Sequence, residues 1–505
     1  MVQRTPRRCL ALLSTVALVL PLAVTSQALA DPNNNSPAKI AKAVTLNNVL
    51  RHLDAFQAIA DTHGDRAAGR PGYQASVNYV VNRLNAAGYT PTVQEFQFEY
   101  LEDNSVLDVL APTPISYRQD LDFTYTGFVP RAEGDVTGPL QAVDLVLPPG
   151  PAANTSSSGC EAADFAGFAA GSIALIQRGS CNFTVKALNA QAAGASAVVL
   201  FNEGQPGRTG LVFPTGDATG LTIPVVSATF AVGEQLASMP FATVRVKVDV
   251  NTDTRTAWNV FAESRHGDAN NVVMAGAHLD SVQNGPGIND NGSGSGALLE
   301  TAIQMSKVKT NAKVRFAWWG AEELGLLGSE HYIATLSQEE QDKIALYLNF
   351  DMVGSPNHFF GIYDGDDSSG TAPVPIPPGS AEIEDVFEKF YADRGLPSED
   401  TEFSGRSDYG PFIAVNIPAG GLFTGAEGVK TPEQQARYGG TAGIAYDPCY
   451  HQPCDDRSNL NLFALDTNSD AIAVAVITFA FDTSTVNGVR APGKSHGRAP
   501  RGVLS

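Results

Sequence analysis

Cysteine is scarce in this chain: there are five in 505 residues, Cys9, Cys160, Cys181, Cys449 and Cys454. No two are spaced C-x-x-C, which argues against a cysteine-ligated zinc. Positive charge is also short. There are 33 Lys and Arg against 53 Asp and Glu, a formal net charge of −20, which disfavours nucleic acid or an anionic membrane surface as the main partner. Past the first thirty residues no apolar stretch is expected to reach the ~20 residues of a bilayer span. Histidine occurs eight times, and never between residues 107 and 250. What is present, 43% hydrophobic and 17% charged residues, is ordinary globular composition, and the length suggests two domains.

Residues 1–30 read as a signal peptide. Arg4, Arg7 and Arg8 form a positive n-region, Leu10 to Leu22 an apolar core, and Ala28-Leu29-Ala30 a small-residue cleavage site. The expected product is secreted, soluble and without a membrane anchor, beginning near Asp31. Cys9 leaves with the signal. The even count that remains implies two disulfides, and proximity in sequence favours Cys160–Cys181 and Cys449–Cys454.

The remainder reads as an α/β domain in two pieces, 31–106 and 256–485, interrupted by a β-rich region, 107–255, whose core is about 130–250. Helical spacing of Val49, Leu50, Leu53, Phe56 and Ile59 predicts a helix over 49–62, and a second spans 75–87, stopped by Gly88. The turn-rich 64–72 lies between them. In the interrupting region strands are expected at 142–147, 172–177, 197–201, 224–228 and 243–250, with a helix at 185–193. Strands at 272–277, 314–319 and 344–350 alternate with helices, which predicts a mostly parallel central sheet flanked by helices. A final helix is expected at 467–481. Residues 486–505, with Arg490, Lys494, Arg498 and Arg501, read as a disordered basic tail.

Chemistry concentrates where those strands end. The run Val272–Ala277 stops at His278-Leu279-Asp280; a glycine-rich loop carries Asp290; Val314–Trp319 ends before Glu322-Glu323; Leu346–Phe350 ends at Asp351; and His451 sits between Cys449 and Cys454. Ligands of open α/β sheets bind beyond the carboxyl ends of the strands. His278, Asp290, Glu323, Asp351 and His451 form an N/O donor set suited to zinc, too many for one tetrahedral ion. With one carboxylate bridging they fit two metals about 3.5–4 Å apart, with open positions for an acidified water. Glu322, adjacent to a ligand, is placed to act as general base and then acid. Asp280 is placed to orient the His278 ring, and Tyr450 to donate to an oxyanion. Taken singly, each has a bland reading as cap, turn former or core histidine; taken together they point to a metal centre.

The segments AHLDSV, GINDNGSG, WWGAEELGLLGS, NFDMVG and DPCYHQPCD resemble, in order, those of the secreted dizinc aminopeptidases of the bacterial leucine aminopeptidase and aminopeptidase Y type. The resemblance covers roughly 45–100 and 256–482. It implies that His278, Asp290 and Asp351 hold one zinc and Asp290, Glu323 and His451 the other, with Asp290 bridging, Glu322 the base and Tyr450 the oxyanion donor. It further implies a cis Asp290–Asn291 bond, an apolar first residue in the substrate, and action on peptide or protein N-termini by a monomer. Arg406, in FSGRSDY, is either a substrate contact or a surface ion-pair partner. A calcium site at Asp466 and Asp470, found in some relatives, lacks an evident third acid here. IALIQRGSCNF, Lys186 and AQAAGASAVVLFNE resemble the protease-associated domain, a non-catalytic insertion. Two other functions remain open on this reading: a dizinc carboxypeptidase or other amide hydrolase of the same superfamily, and a non-catalytic binding protein that has kept the fold.

Overall fold

The computed structural model describes residues 33–489 together with Met1. The expected signal peptide and the expected tail from Arg490 onward lie outside the described residues; the first residues assigned to that tail, Val486 and Asn487, instead close a short helix, Ser484–Asn487. The described residues divide into two compact units: those within 33–66, 75–93 and 260–489 form one, and 67–74 with 94–259 the other.

The first unit is built on a mixed, mostly parallel sheet. From the last residues of Val250–Glu263 it continues through Ala312–Trp319, Asp268–His278, Ile344–Phe350, Ala419–Phe423, Gly361–Tyr363 and Glu399–Thr401. Asp268–His278 runs parallel to both Ala312–Trp319 and Ile344–Phe350, and Ile344–Phe350 parallel to Ala419–Phe423. The pairings of Val250–Glu263 and Gly361–Tyr363 with their inner neighbours are antiparallel. The central strands are buried along nearly their whole length, as expected when helices cover both faces.

The helix Leu46–His63 buries Val49, Leu53, Phe56 and Ala60, one stripe at helical spacing, and ends at Gly64 with φ +93°. Helix Gly294–Met305 is buried along almost its whole length. It starts with glycine because a Cβ at Gly294 would stand 2.2 Å from the Phe350 carbonyl, so a larger residue would push the helix off the end of the neighbouring strand.

The last helix starts five residues before the expected Thr467: it spans Leu462–Phe481, and its N-cap is Asn461, whose side chain accepts from Ala464 N at 3.0 Å. Thr467 is interior and buried. This helix also corrects the expectation that no later segment could span a bilayer. It is 20 residues long and apolar enough to do so, and 67% of its most apolar window is buried within the protein, as in a core helix.

The second unit holds an eight-stranded mixed sheet with buried apolar clusters, one around Leu107, Val199 and Val244 and another around Phe128, Ile176 and Val198. Expected strands 172–177, 197–201 and 224–228 fall at Ile173–Gln177, Ala197–Phe201 and Val225–Ala228, and the helix at Phe183–Ala192. The expected strand 142–147 is absent. Val146 instead exchanges two hydrogen bonds with the Gln177 side chain, 2.8 and 3.2 Å, which replace a strand ladder there. The strand lies earlier, at Gly134–Ala142, hidden from pattern reading by its two glycines and a proline. Both disulfides have the expected pairing, Cys160–Cys181 and Cys449–Cys454.

Candidate metal centre

Three adjacent parallel strands end side by side and deliver the acids and imidazole. His278 closes Asp268–His278, Asp351 follows Ile344–Phe350, and Glu322 and Glu323 follow Ala312–Trp319. Asp290 enters from the irregular turn Ile288–Ser293 that leads into helix Gly294–Met305, and His451 from the disulfide loop.

These side chains converge. Asp290 straddles two imidazoles, Oδ1 at 3.2 Å from His278 Nε2 and Oδ2 at 3.2 Å from His451 Nε2. His278 Nε2 is also 3.3 Å from Asp351 Oδ1, and His451 Nε2 is 3.0 Å from Glu323 Oε2. Donor atoms on a tetrahedral zinc with bonds near 2.0–2.1 Å stand about 3.3 Å apart, so the two groups have the spacing of two edge-defined sites sharing Asp290. The second Glu323 oxygen, Oε1, is buried without a hydrogen-bond partner, an acceptor that a cation would satisfy. Glu322 Oε2 lies farther from His278, at 3.9 Å.

Asp280 does more than was expected of it. Its carboxylate lies 3.6 Å from His278 Nδ1, while its backbone carbonyl is closer, at 3.2 Å. The same carboxylate accepts from the backbone N–H of both Glu322 and Glu323, each at 3.3 Å. It therefore sets the glutamate pair as well as the imidazole. Tyr450 stacks on His451 with centroids 3.8 Å apart and lines a cavity of about 160 Å³ with Asp290, Glu322, Met352, Tyr363 and Phe423. Arg406 lines it too, with its side chain 73% exposed and 3.7 Å from Glu427. The calcium candidates point elsewhere: Asp470 pairs with Arg394 at 3.3 Å, and Asp466 is exposed.

Backbone geometry reinforces the arrangement. His451, Met352 after Asp351, and Ala321 before Glu322 have φ of +57°, +50° and +57°, conformations costly for residues with a Cβ and concentrated at functional sites. The Asp290–Asn291 bond is cis.

Several supporting residues escaped the sequence reading. Asn291 donates to the Phe350 carbonyl at 2.8 Å and accepts from Met352 N at 3.3 Å, tying the Asp290 turn to the Asp351 strand end. Asp455 accepts from the backbone N–H groups of Asn289 and Asp290, at 2.9 and 3.0 Å. Ser407 donates to Asp351 Oδ2 at 2.6 Å and accepts from Asn349 at 2.9 Å; Asn349 accepts from Tyr347, and Tyr347 from Trp319. Asn289, Asn291 and Asp455 stood within the quoted motifs, but short polar residues in loops carry no periodic signal.

Without metal, Glu322, Glu323, His278 and His451 hold extra protons, whereas bonds from the two imidazoles outweigh burial and hold the Asp290 carboxyl below its usual range. Burial pushes Glu322 well above the usual carboxylate range and Glu323 to about 7. For His278 burial pulls the other way, but Asp351 and Glu322 hold it well above an ordinary imidazole. Burial also opposes charge on His451, and bonds to Asp290 and Glu323 outweigh it, raising it to about 10. In all four the folded-state value is the higher one, so the folded state binds more protons, and stability falls as pH rises from about 4.5 through 10. The stripped protein is expected to melt at progressively lower temperature from pH 6 to pH 9, and zinc to remove that decline by replacing the protons. Calorimetry with and without chelator reads this directly; a stripped protein that grows more stable toward pH 9 contradicts the assignment of these four groups.

A mostly parallel sheet with two imidazoles and a carboxylate shared between them at its carboxyl edge marks an α/β protein with a candidate metal centre. Comparison with known proteins narrows the class. Residues 259–476 match the model of peptidase family M28, and residues 136–236 that of the PA domain. An aminopeptidase of Pseudomonas aeruginosa is 50% identical over 458 residues, 90% of this chain and 84% of its own. Leucine aminopeptidase 2 of Trichophyton tonsurans is 40% identical over 471 residues, 91% and 90% of the two chains. The structure of BSAP, a zinc aminopeptidase from Bacillus subtilis, superimposes with a TM-score of 0.59 at 25% identity, covering 88% of this chain and 98% of that one. The chain belongs to peptidase family M28, with an inserted PA domain.

Proposed function

We propose that the protein is a secreted zinc aminopeptidase that removes single residues, apolar ones preferentially, from the N-termini of peptides, using two zinc ions. The observation that carries this is Asp290, with one oxygen 3.2 Å from each of two imidazoles, each imidazole having a further carboxylate within 3.3 Å. The aminopeptidase relatives support the reaction class, and the zinc aminopeptidase fold supports the metal. The amino-terminal signal reading and the two disulfides support secretion; a 42%-identical relative is named a probable lipoprotein aminopeptidase.

His278, Asp290 and Asp351 would hold one ion, and Asp290, Glu323 and His451 the other. When bound, such a pair supplies Lewis acidity toward the first peptide carbonyl and lowers the pKa of water in the site. The chain's own groups do the rest. Glu322 takes a proton at its carboxylate and returns it to the leaving amine. The Tyr450 hydroxyl, held well above its ordinary pKa by burial and by nearby Asp290 and Glu323, stays protonated and donates to the developing oxyanion. Met352, Tyr363 and Phe423 offer apolar surface to the first side chain, and the carboxylates around the cavity favour a free α-ammonium. Calcium is not part of this proposal.

A panel of aminoacyl p-nitroanilides, free and N-acylated, with and without chelator, tests it. Free leucyl-type substrates are expected to be cleaved, acylated ones not, and chelator to abolish turnover. Equal cleavage of acylated substrates would assign a different amide hydrolase, and release from peptide C-termini a carboxypeptidase.

A further inference from the structure

The turn between the two helices that were expected at 49–62 and 75–87 contains Arg66, to which the proposed chemistry gives no part. Arg66 is fully buried. Its guanidinium donates through Nε to the Pro286 carbonyl at 2.8 Å, through Nη2 to the Gly287 carbonyl at 2.6 Å, and through Nη1 to the Leu279 carbonyl. Its backbone N–H donates to Ser281 Oγ at 3.0 Å, and its carbonyl accepts from Ser281 N at 3.3 Å. The guanidinium carbon, Cζ, lies over the Phe56 ring, 5.0 Å from its centroid.

Leu279 stands between His278 and Asp280, and Gly287 three residues before Asp290. Residues 279–287 between these points contain no helix or strand, and they connect acids that repel one another. We infer that Arg66 is the positioning residue that shapes this half of the metal centre before any metal arrives, by gripping both ends of the 279–287 loop with one planar group.

The fit around the guanidinium is close. Gly287 has φ +60°, and a Cβ there would come within 2.4 Å of both the Asp290 carbonyl and Ser281 Cβ, so the loop is wound tightly beside the cation. Burial lowers the Arg66 pKa to about 10, against the raising field of Asp280, Asp455, Asp290 and Glu323; the group remains charged at neutral pH. Charge by itself would oppose a dication. The contribution to the site therefore comes from the fork of N–H donors, which a lysine ammonium cannot reproduce.

This inference rests on the metal-site reading above, and the experiment separates the two. Zinc affinity of stripped wild type, Arg66→Lys and Arg66→Ala is measured by chelator competition, and amide exchange of residues 279–292 by mass spectrometry without metal. Stripped wild type is expected to protect this segment. Both variants should lose that protection selectively, regain it on zinc binding, and bind zinc about 10–100-fold more weakly, the usual effect of losing an outer-sphere partner. Millimolar guanidinium should partly restore Arg66→Ala.

Native affinity and native exchange in Arg66→Lys would overturn the inference. So would free exchange of 279–292 in stripped wild type, a measurement that does not depend on any variant folding. Failure of wild type to bind zinc would instead remove the metal-site reading, while the exchange data would still report on Arg66.

Discussion

Glu322→Gln is expected to lower kcat by about 10²–10⁴-fold, the range that positioned acid–base groups supply, while zinc content and KM change little. The substitution keeps the shape of the side chain and the bond from its backbone N–H to Asp280. It removes only the ability to take and return a proton. Glu322 lies outside the donor edges of 3.0–3.3 Å, at 3.9 Å from His278 Nε2, so metal retention should survive. Burial already favours its protonated form; the positive charge of bound metal would draw it back toward a working base at neutral pH. Metal analysis beside steady-state kinetics checks the prediction. Near-normal turnover in a fully loaded variant would exclude Glu322 as the base, and loss of zinc would make it a ligand.

Asp290→Asn should be still more damaging. Among the described residues Asp290 is the acid with an oxygen 3.2 Å from each imidazole, and its replacement puts an amide N–H where an oxygen lone pair faced a donor set. The expected result is at most one zinc retained per chain. Activity should fall by about 10³-fold or more, since bound metal contributes several kcal/mol of charge stabilisation at tenfold per 1.36 kcal/mol. The turn itself has independent support from Asp455, Asn291 and Ser293, whose hydroxyl donates to the Asn289 carbonyl at 2.7 Å. The stripped variant should melt below stripped wild type near neutral pH, because the buried Asp290 carboxylate helps hold His451 protonated, so zinc content is compared on variant that circular dichroism shows to be folded, which separates a lost ligand from a lost fold. Two zincs and full activity in this variant would refute the bridging role.

Much of this organisation was legible in the chain itself. The strands expected at 272–277, 314–319 and 344–350 announced themselves as apolar runs that stop at His278, Glu322-Glu323 and Asp351, because a strand buried on both faces leaves a continuous hydrophobic signature, whereas the polar start of the first, Asp268–Asn271, gave no such signal. The alternation of strands with helices called for a helix between the first two of them, and it lies at Gly294–Met305. The strand 134–142 and the true start of the last helix were not legible in this way, since glycine and proline obscured the first and an asparagine cap outside the periodic pattern set the second.

By itself, then, the order of residues determined the parallel sheet, the inserted β-rich unit, the two disulfide pairings and the identity of the acids and imidazoles that meet. Tertiary structure alone decided how they are held: Asp280 serving both glutamates, Ser407 at the end of a relay from Trp319, Asn291 joining two strand ends, and Arg66 gripping a loop more than 200 residues away in sequence. The physical reason is one of range. Burial imposes a local period that any short window displays, whereas a buried hydrogen bond constrains two distant residues whose separate surroundings look like ordinary polar turns.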